Sequence, residues 1–172
     1  KTELQNIVVS GADIAIEGWA GIGADNKLRE FYFPRFSLNV VTQLDIQGAL
    51  GKNDVWDVKI KGTTYEGREF FRSLFSLGQL TEKPAPAGPQ QKPRGGGVDV
   101  TAEVDNVVGY GDVSLKGLKV RASRRGERLV ALEGNGRLDS GHPFAVYLRP
   151  GAGDHRILHA ETTDAGRMFK LV

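Results

Sequence analysis

The chain carries three histidines, and a metal centre would be their first use. His155 and His159 stand four apart in a stretch that alternates at period two. On a strand, positions four apart share a face but lie roughly 13 Å apart, too far to ligate one ion. Asp154 adds an oxygen in a different local geometry, and His142 follows a separate turn. The histidines therefore read as surface or hydrogen-bonded side chains, and no metal site is expected. The absence of cysteine excludes thiolate catalysis, disulfides and Cys-containing metal centres. Asp99, Glu103 and Asp105 share a strand face with Thr101 and suit a solvated face or a weak cation site. A glycosidase needs two carboxylates across a cleft in distinct environments, and no pair is singled out. There is no phosphate loop between strand and helix, no zinc-binding His-Glu pair and no nucleophile elbow. Gly95-Gly96-Gly97 reads as linker. No catalytic residue and no cofactor is expected, and the chain reads as non-enzymatic.

Arg121, Arg124, Arg125 and Arg128 form the most localised charge. Guanidinium groups grip phosphate in bidentate geometry, so this cluster is a candidate contact for lipid headgroups. The competing reading is a solvated hairpin tip balanced by Glu127. Net charge is only +2, from 23 basic and 21 acidic residues. No dense positive face and no interleaved aromatic platform accompanies the arginines, which argues against a nucleic-acid partner.

The elements that must position these residues are mostly strands. Hydrophobic residues make up 40% of the chain, enough for a packed core, and the 23 glycines are dispersed as turn formers. Ile14 and Ile16, then Phe31 and Phe33, then Phe36, Leu38 and Val40, then Leu44 and Ile46, then Trp56, Val58 and Ile60 each alternate with other residues. Pro34 lacks an amide hydrogen and predicts an edge, bulge or bend. Turns at Asp25-Asn26-Lys27 and Gly51-Lys52-Asn53-Asp54 predict an antiparallel meander of four or five strands over residues 4–65. Residues 67–77 change to helical spacing, with Phe70 and Leu74, and Phe71 and Phe75, four apart. Gly78 is placed to end that helix. Residues 79–97 are rich in proline and glycine and predict a flexible linker. Alternation resumes at Val98 to Val104, Leu118 to Ala122, Val130 to Leu132, Phe144 to Leu148 and Arg156 to Glu161. Thr163 is expected to cap a closing helix.

The expected organisation is an antiparallel β module over 1–78, a linker over 79–97 and a second module over 98–172. The expected fold is mainly β: an antiparallel, strongly curved or groove-forming sheet, with a short amphipathic helix closing each module. The large aromatics, Trp19, Phe31, Phe33, Phe36, Trp56, Phe70, Phe71 and Phe75, read first as core. An apolar sheet face must be covered, and short helices cover only part of one. The rest packs on another sheet, curls on itself, or meets an apolar ligand or partner.

No signal peptide and no apolar run of bilayer length is present. The start at Lys1 and the apolar end at Phe169 to Val172 read as cuts through a longer chain, with a membrane anchor expected outside it.

Leu28-Arg29-Glu30-Phe31-Tyr32-Phe33-Pro34-Arg35-Phe36-Ser37-Leu38 and Val55-Trp56-Asp57-Val58-Lys59-Ile60-Lys61-Gly62 resemble repeats of the AsmA-like family of bacterial envelope proteins. Gly134-Asn135-Gly136-Arg137-Leu138 and the ending His159 to Phe169 add to the resemblance, above all a strand running into an Asp-Ala-Gly helix start. It implies a periplasmic, β-rich part of an inner-membrane-anchored protein involved in phospholipid transport or outer-membrane lipid homeostasis. It implies no catalytic motif, only an apolar surface. Ile14, Ile16, Trp56, Val58 and Ile60 are the candidates for that surface, with phospholipid acyl chains or other envelope proteins as partners. Two other readings stand beside it. A scaffold contacting envelope proteins would expose edge strands, and a polysaccharide-binding module would present two coplanar exposed aromatics.

Overall fold

The computed structural model describes residues 2–76 (side chains to 72), 96–126, 128–151 and 155–171. The first half is a five-strand meander: β1 (Thr2–Ser10), β2 (Ile14–Ile22), β3 (Leu28–Leu38), β4 (Thr42–Leu50) and β5 (Val55–Glu66). Helix α1 (Arg68–Ser76) follows. The second half contains β6 (Gly97–Val108), β7 (Ser114–Arg125), β8 (Arg128–Leu138), β9 (Pro143–Pro150) and β10 (Arg156–Thr162), then α2 (Ala165–Met168) and a 3-10 turn over Phe169–Leu171. The turn residues behave as their chemistry requires. Asn26 and Gly126 adopt positive φ at the β2–β3 and β7–β8 turns. Pro34 lies at a bulge, where the β3–β4 register shifts between Phe33 and Phe36. The expected linker lies mostly outside the described residues, as does Gly78, and Gly97 already belongs to β6.

The ten strands form one sheet in sequence order, β1 to β10. All pairs are antiparallel except β5 with β6, which run parallel with Trp56 opposite Val98 and Val58 opposite Val100. The chain between Glu66 and Gly97, which includes α1, is the long crossover that a parallel pair needs. The expectation of a strongly curved or groove-forming sheet is overturned: the sheet is open and not strongly curved, and β1 and β10 each pair on one side only.

The location of the core gives the physical reason. Both helices contribute to one core. Phe71 of α1, Met168 of α2 and Leu171 beyond it enter one cluster with Val104, Val107, Leu115, Leu132 and Phe144. This covered patch supplies a core, so the sheet does not have to curl onto itself to obtain one. Asp164, not Thr163, caps α2: its Oδ1 accepts from the Arg167 amide at 3.0 Å. Thr163 Oγ1 instead lies 2.7 Å from His142 Nδ1.

Candidate functional site: an open apolar sheet face

Strand alternation sends odd and even positions to opposite faces, and the pairing register aligns the apolar sets of all ten strands on one side. Leu50, Trp56 and Val98 form one cross-strand row. Gly48, Val58 and Val100 form the next, and Ile46, Ile60 and Ala102 the third. Toward β1, Phe31 faces Gly48, Phe33 faces Ile46, Ile16 faces Phe36 and Ile14 faces Leu38. Ten strands spaced by about 4.8 Å make this face about 43 Å wide.

Among the described residues, the helices cover the face at one end only. Of the buried apolar side chains among the described residues, Ala20 alone comes from β1 to β5. Ile16, Phe31, Phe33, Ile46, Trp56, Val58 and Ile60 are half-buried, and Ile14 is 42% exposed. The five sequence candidates Ile14, Ile16, Trp56, Val58 and Ile60 thus share this face, on β2 and β5, outside the helix-covered core.

The exposed apolar surface has local order. The Phe31 ring lies 5.5 Å from Trp56 and 5.7 Å from Phe33, centroid to centroid. This cross-strand ladder depends on Gly48, because a Cβ there would overlap the Phe31 ring. Gly62 plays the same part beneath Leu44. Large side chains lean over glycines on the neighbouring strand and keep the surface low and continuous.

The opposite face is polar. Asp45 and Glu103 both flank Lys61 in register, Glu103 faces Lys119, and Arg121 faces Glu133. Arg35 Nη1 reaches Glu17 Oε1 at 2.8 Å. Alternating signs on adjacent strands favour this pairing register. Tyr32 donates to Asp45 at 3.0 Å, which holds its phenol above the ordinary range.

The sequence-adjacent arginines are divided between the two faces of the sheet. Arg121 lies on the polar face. Arg125 is on that face too, bidentate to Asp99 at 2.8 and 3.0 Å. That hydrogen-bonded pair pulls the Asp99 carboxyl below its usual value and raises the guanidinium. Arg128 faces Arg125 at the start of β8. Arg124 alone falls in the apolar row, opposite Val98, and its Nε donates to Gly126 O at 2.6 Å.

The histidines are placed apart: His142 beside Thr163, and His159 stacked on Tyr147 at 5.3 Å. No group of three or more His, Asp or Glu that could hold a metal occurs among the described residues. Two coplanar exposed aromatics would mark a sugar platform. On the polar face the stacked pair is one tyrosine and an imidazole, and the Tyr147 hydroxyl is donated to Glu161. Among the described residues, no helix is long and apolar enough to cross a membrane.

No family model, curated protein or solved structure matches this chain.

Sequence reasoning missed Lys27, Val98 and Val100 as members of the apolar-face neighbourhood. Val98 and Val100 alternate visibly, but their juxtaposition with Trp56 and Val58 depends on the β5–β6 register. Lys27 is a turn lysine with no local signal.

Proposed function

We propose that this chain is a non-enzymatic segment of a periplasmic envelope protein that holds phospholipid acyl chains against an open apolar sheet face. The observation carrying this reading is the row set on β2 to β6, Ile16–Phe36, Phe31–Gly48–Val58–Val100 and Leu50–Trp56–Val98, which no described element covers. Every acyl methylene removed from water there contributes about 0.8 kcal/mol, so a chain crossing several strands gains enough to hold without any directed polar contact. No bond is made or broken: headgroups stay wet while chains lie on the sheet. The sequence resemblance to AsmA-like proteins supports the periplasmic, inner-membrane-anchored setting and a part in lipid homeostasis. The open face takes the place of the groove expected from sequence.

Native mass spectrometry after incubation with mixed bacterial phospholipids tests this, followed by extraction and identification of retained lipid. Stoichiometric lipid, lost in a folded Val58→Asp variant, is the expected result. A folded protein that retains none overturns the proposal.

One observation favours a second reading, an envelope scaffold. Among the described residues, strands β1 and β10 pair on one side only, and such edges accept a partner strand. Proline substitutions at Val8 and at Leu158 would abolish partner capture in that case and leave lipid retention intact.

A further inference from the structure

Deepening the acyl-chain reading and resting on it, we propose that the cleft at the β2–β3 turn and the end of β7 receives the anionic headgroup of an amphiphile. Lys27 and Arg124 are its charge partners, and the chain runs onto the aromatic ladder. The cleft has a volume of about 710 Å³. Its walls are Leu28, Phe31, Leu50, Trp56 and Val98, which belong to the apolar face, so cleft and face are continuous.

Two of the sheet's cations, Lys27 and Arg124, border this apolar cleft. Arg29 is paired with Asp25 at 2.6 Å, Arg35 with Glu17 at 2.8 Å and Arg125 with Asp99 at 2.8 Å. Lys27 and Arg124 line the cleft and have no ion-pair partner among the described residues. Asp54 also lines it, so among the described residues of the rim two cations face one carboxylate. Arg124 spends its Nε on Gly126 O at 2.6 Å. That bond fixes the guanidinium plane and leaves both Nη groups to donate in parallel to a phosphate or carboxylate. Arg124 is exposed at the end of its apolar row, so its guanidinium stays in water beside the apolar walls, and an anion with an apolar tail meets both halves of the site. A free inorganic anion would satisfy the cations and leave the Phe31 and Trp56 walls in water.

Titration calorimetry on the whole chain, below micelle concentrations, separates these cases with three probes: dodecyl phosphate, dodecyl maltoside and inorganic phosphate. Dodecyl phosphate is expected to bind at least about tenfold more tightly than dodecyl maltoside, the worth of one charge-assisted contact. Arg124→Ala and Lys27→Ala should each erase about tenfold of that affinity and leave the maltoside unchanged. Arg121→Ala, on the polar face, should change neither. Equal affinity for the two amphiphiles, or an Arg124→Ala variant that binds dodecyl phosphate normally, overturns the headgroup placement alone. Inorganic phosphate binding as tightly as dodecyl phosphate overturns it in favour of a simple anion site. Failure of both amphiphiles to bind the folded protein overturns the acyl-chain reading as well.

Discussion

Val58 and Val104 lie on the same side of the sheet, in β5 and β6, yet the fold predicts very different costs for the same substitution. Val104 is 6% exposed within the helix-covered cluster, whereas Val58 is half-buried on the open part. Truncation to alanine removes two carbon groups, worth about 1.6 kcal/mol of transfer free energy when the site is fully buried. At Val104 a cavity term adds to this, because Phe71 and Leu118 are held by the rest of the cluster, and the expected loss is about 2–3 kcal/mol. At Val58 about half the transfer term applies and solvent fills the space, so the loss is under about 1 kcal/mol. Aspartate widens the gap. A carboxylate at Val104 is desolvated without a partner and costs several kcal/mol, a large share of the stability of a domain this size. At Val58 it reaches water. Urea unfolding followed by circular dichroism measures all four variants. A Val58→Asp protein as damaged as Val104→Asp would mean that this part of the face is covered, and the reasoning from an open face would fail.

Three further outcomes follow from the packing and electrostatics. Gly48→Ala forces the Phe31 ring off its place beside Trp56; a loss of about 1 kcal/mol and a shift in Trp56 emission in a Trp19→Phe background are expected. Phe71→Ala empties the centre of the cluster at a cost of about 3–5 kcal/mol, read by chemical denaturation, with α1 amides losing hydrogen-exchange protection first. The Asp164 carboxyl is held below its ordinary 3.8 by the Arg167 amide, then by Ser140 and the nearby charges of His142 and Arg167. A depressed folded value means that this contribution is complete above the ordinary value and fades as pH falls through the folded one. An acid titration of stability should therefore be shallower below pH 3.8 in Asp164→Asn, which keeps a capping oxygen but does not titrate; an unchanged titration would remove Asp164 from that role.

Much of the strand content was legible because its cause is local. Period-two alternation marks β2 to β5 and β6 to β10, and Pro34, Asn26 and Gly126 carry their backbone preferences with them. Pairing across the crossover was not legible: nothing near Trp56 says that Val98 lies beside it, and short turns elsewhere suggested antiparallel neighbours throughout. Sheet shape was likewise beyond local pattern, since it depends on where Phe71, Met168 and Leu171 find cover. The same alternation that revealed the strands divides the arginines between the two faces. Arg124 and Arg125 are adjacent in sequence and therefore point to opposite faces. Lys27, distant along the chain, shares the cleft with Arg124. The apolar candidates fared differently, because side-chain parity within β2 and within β5 is a local property. That both sets face the same way required the register through β3 and β4.

The two tryptophans provide the most direct measurement of what the open face does. Trp56 lies on the apolar face, and Trp19, opposite Tyr32, on the polar one. Phospholipids brominated along the acyl chain quench indole only on close approach. Titrated into Trp19→Phe and Trp56→Phe proteins, they should quench Trp56 strongly and saturably and leave Trp19 at its unbrominated-lipid intensity. Equal quenching of both, or quenching of neither in folded protein, would contradict acyl-chain binding on this face.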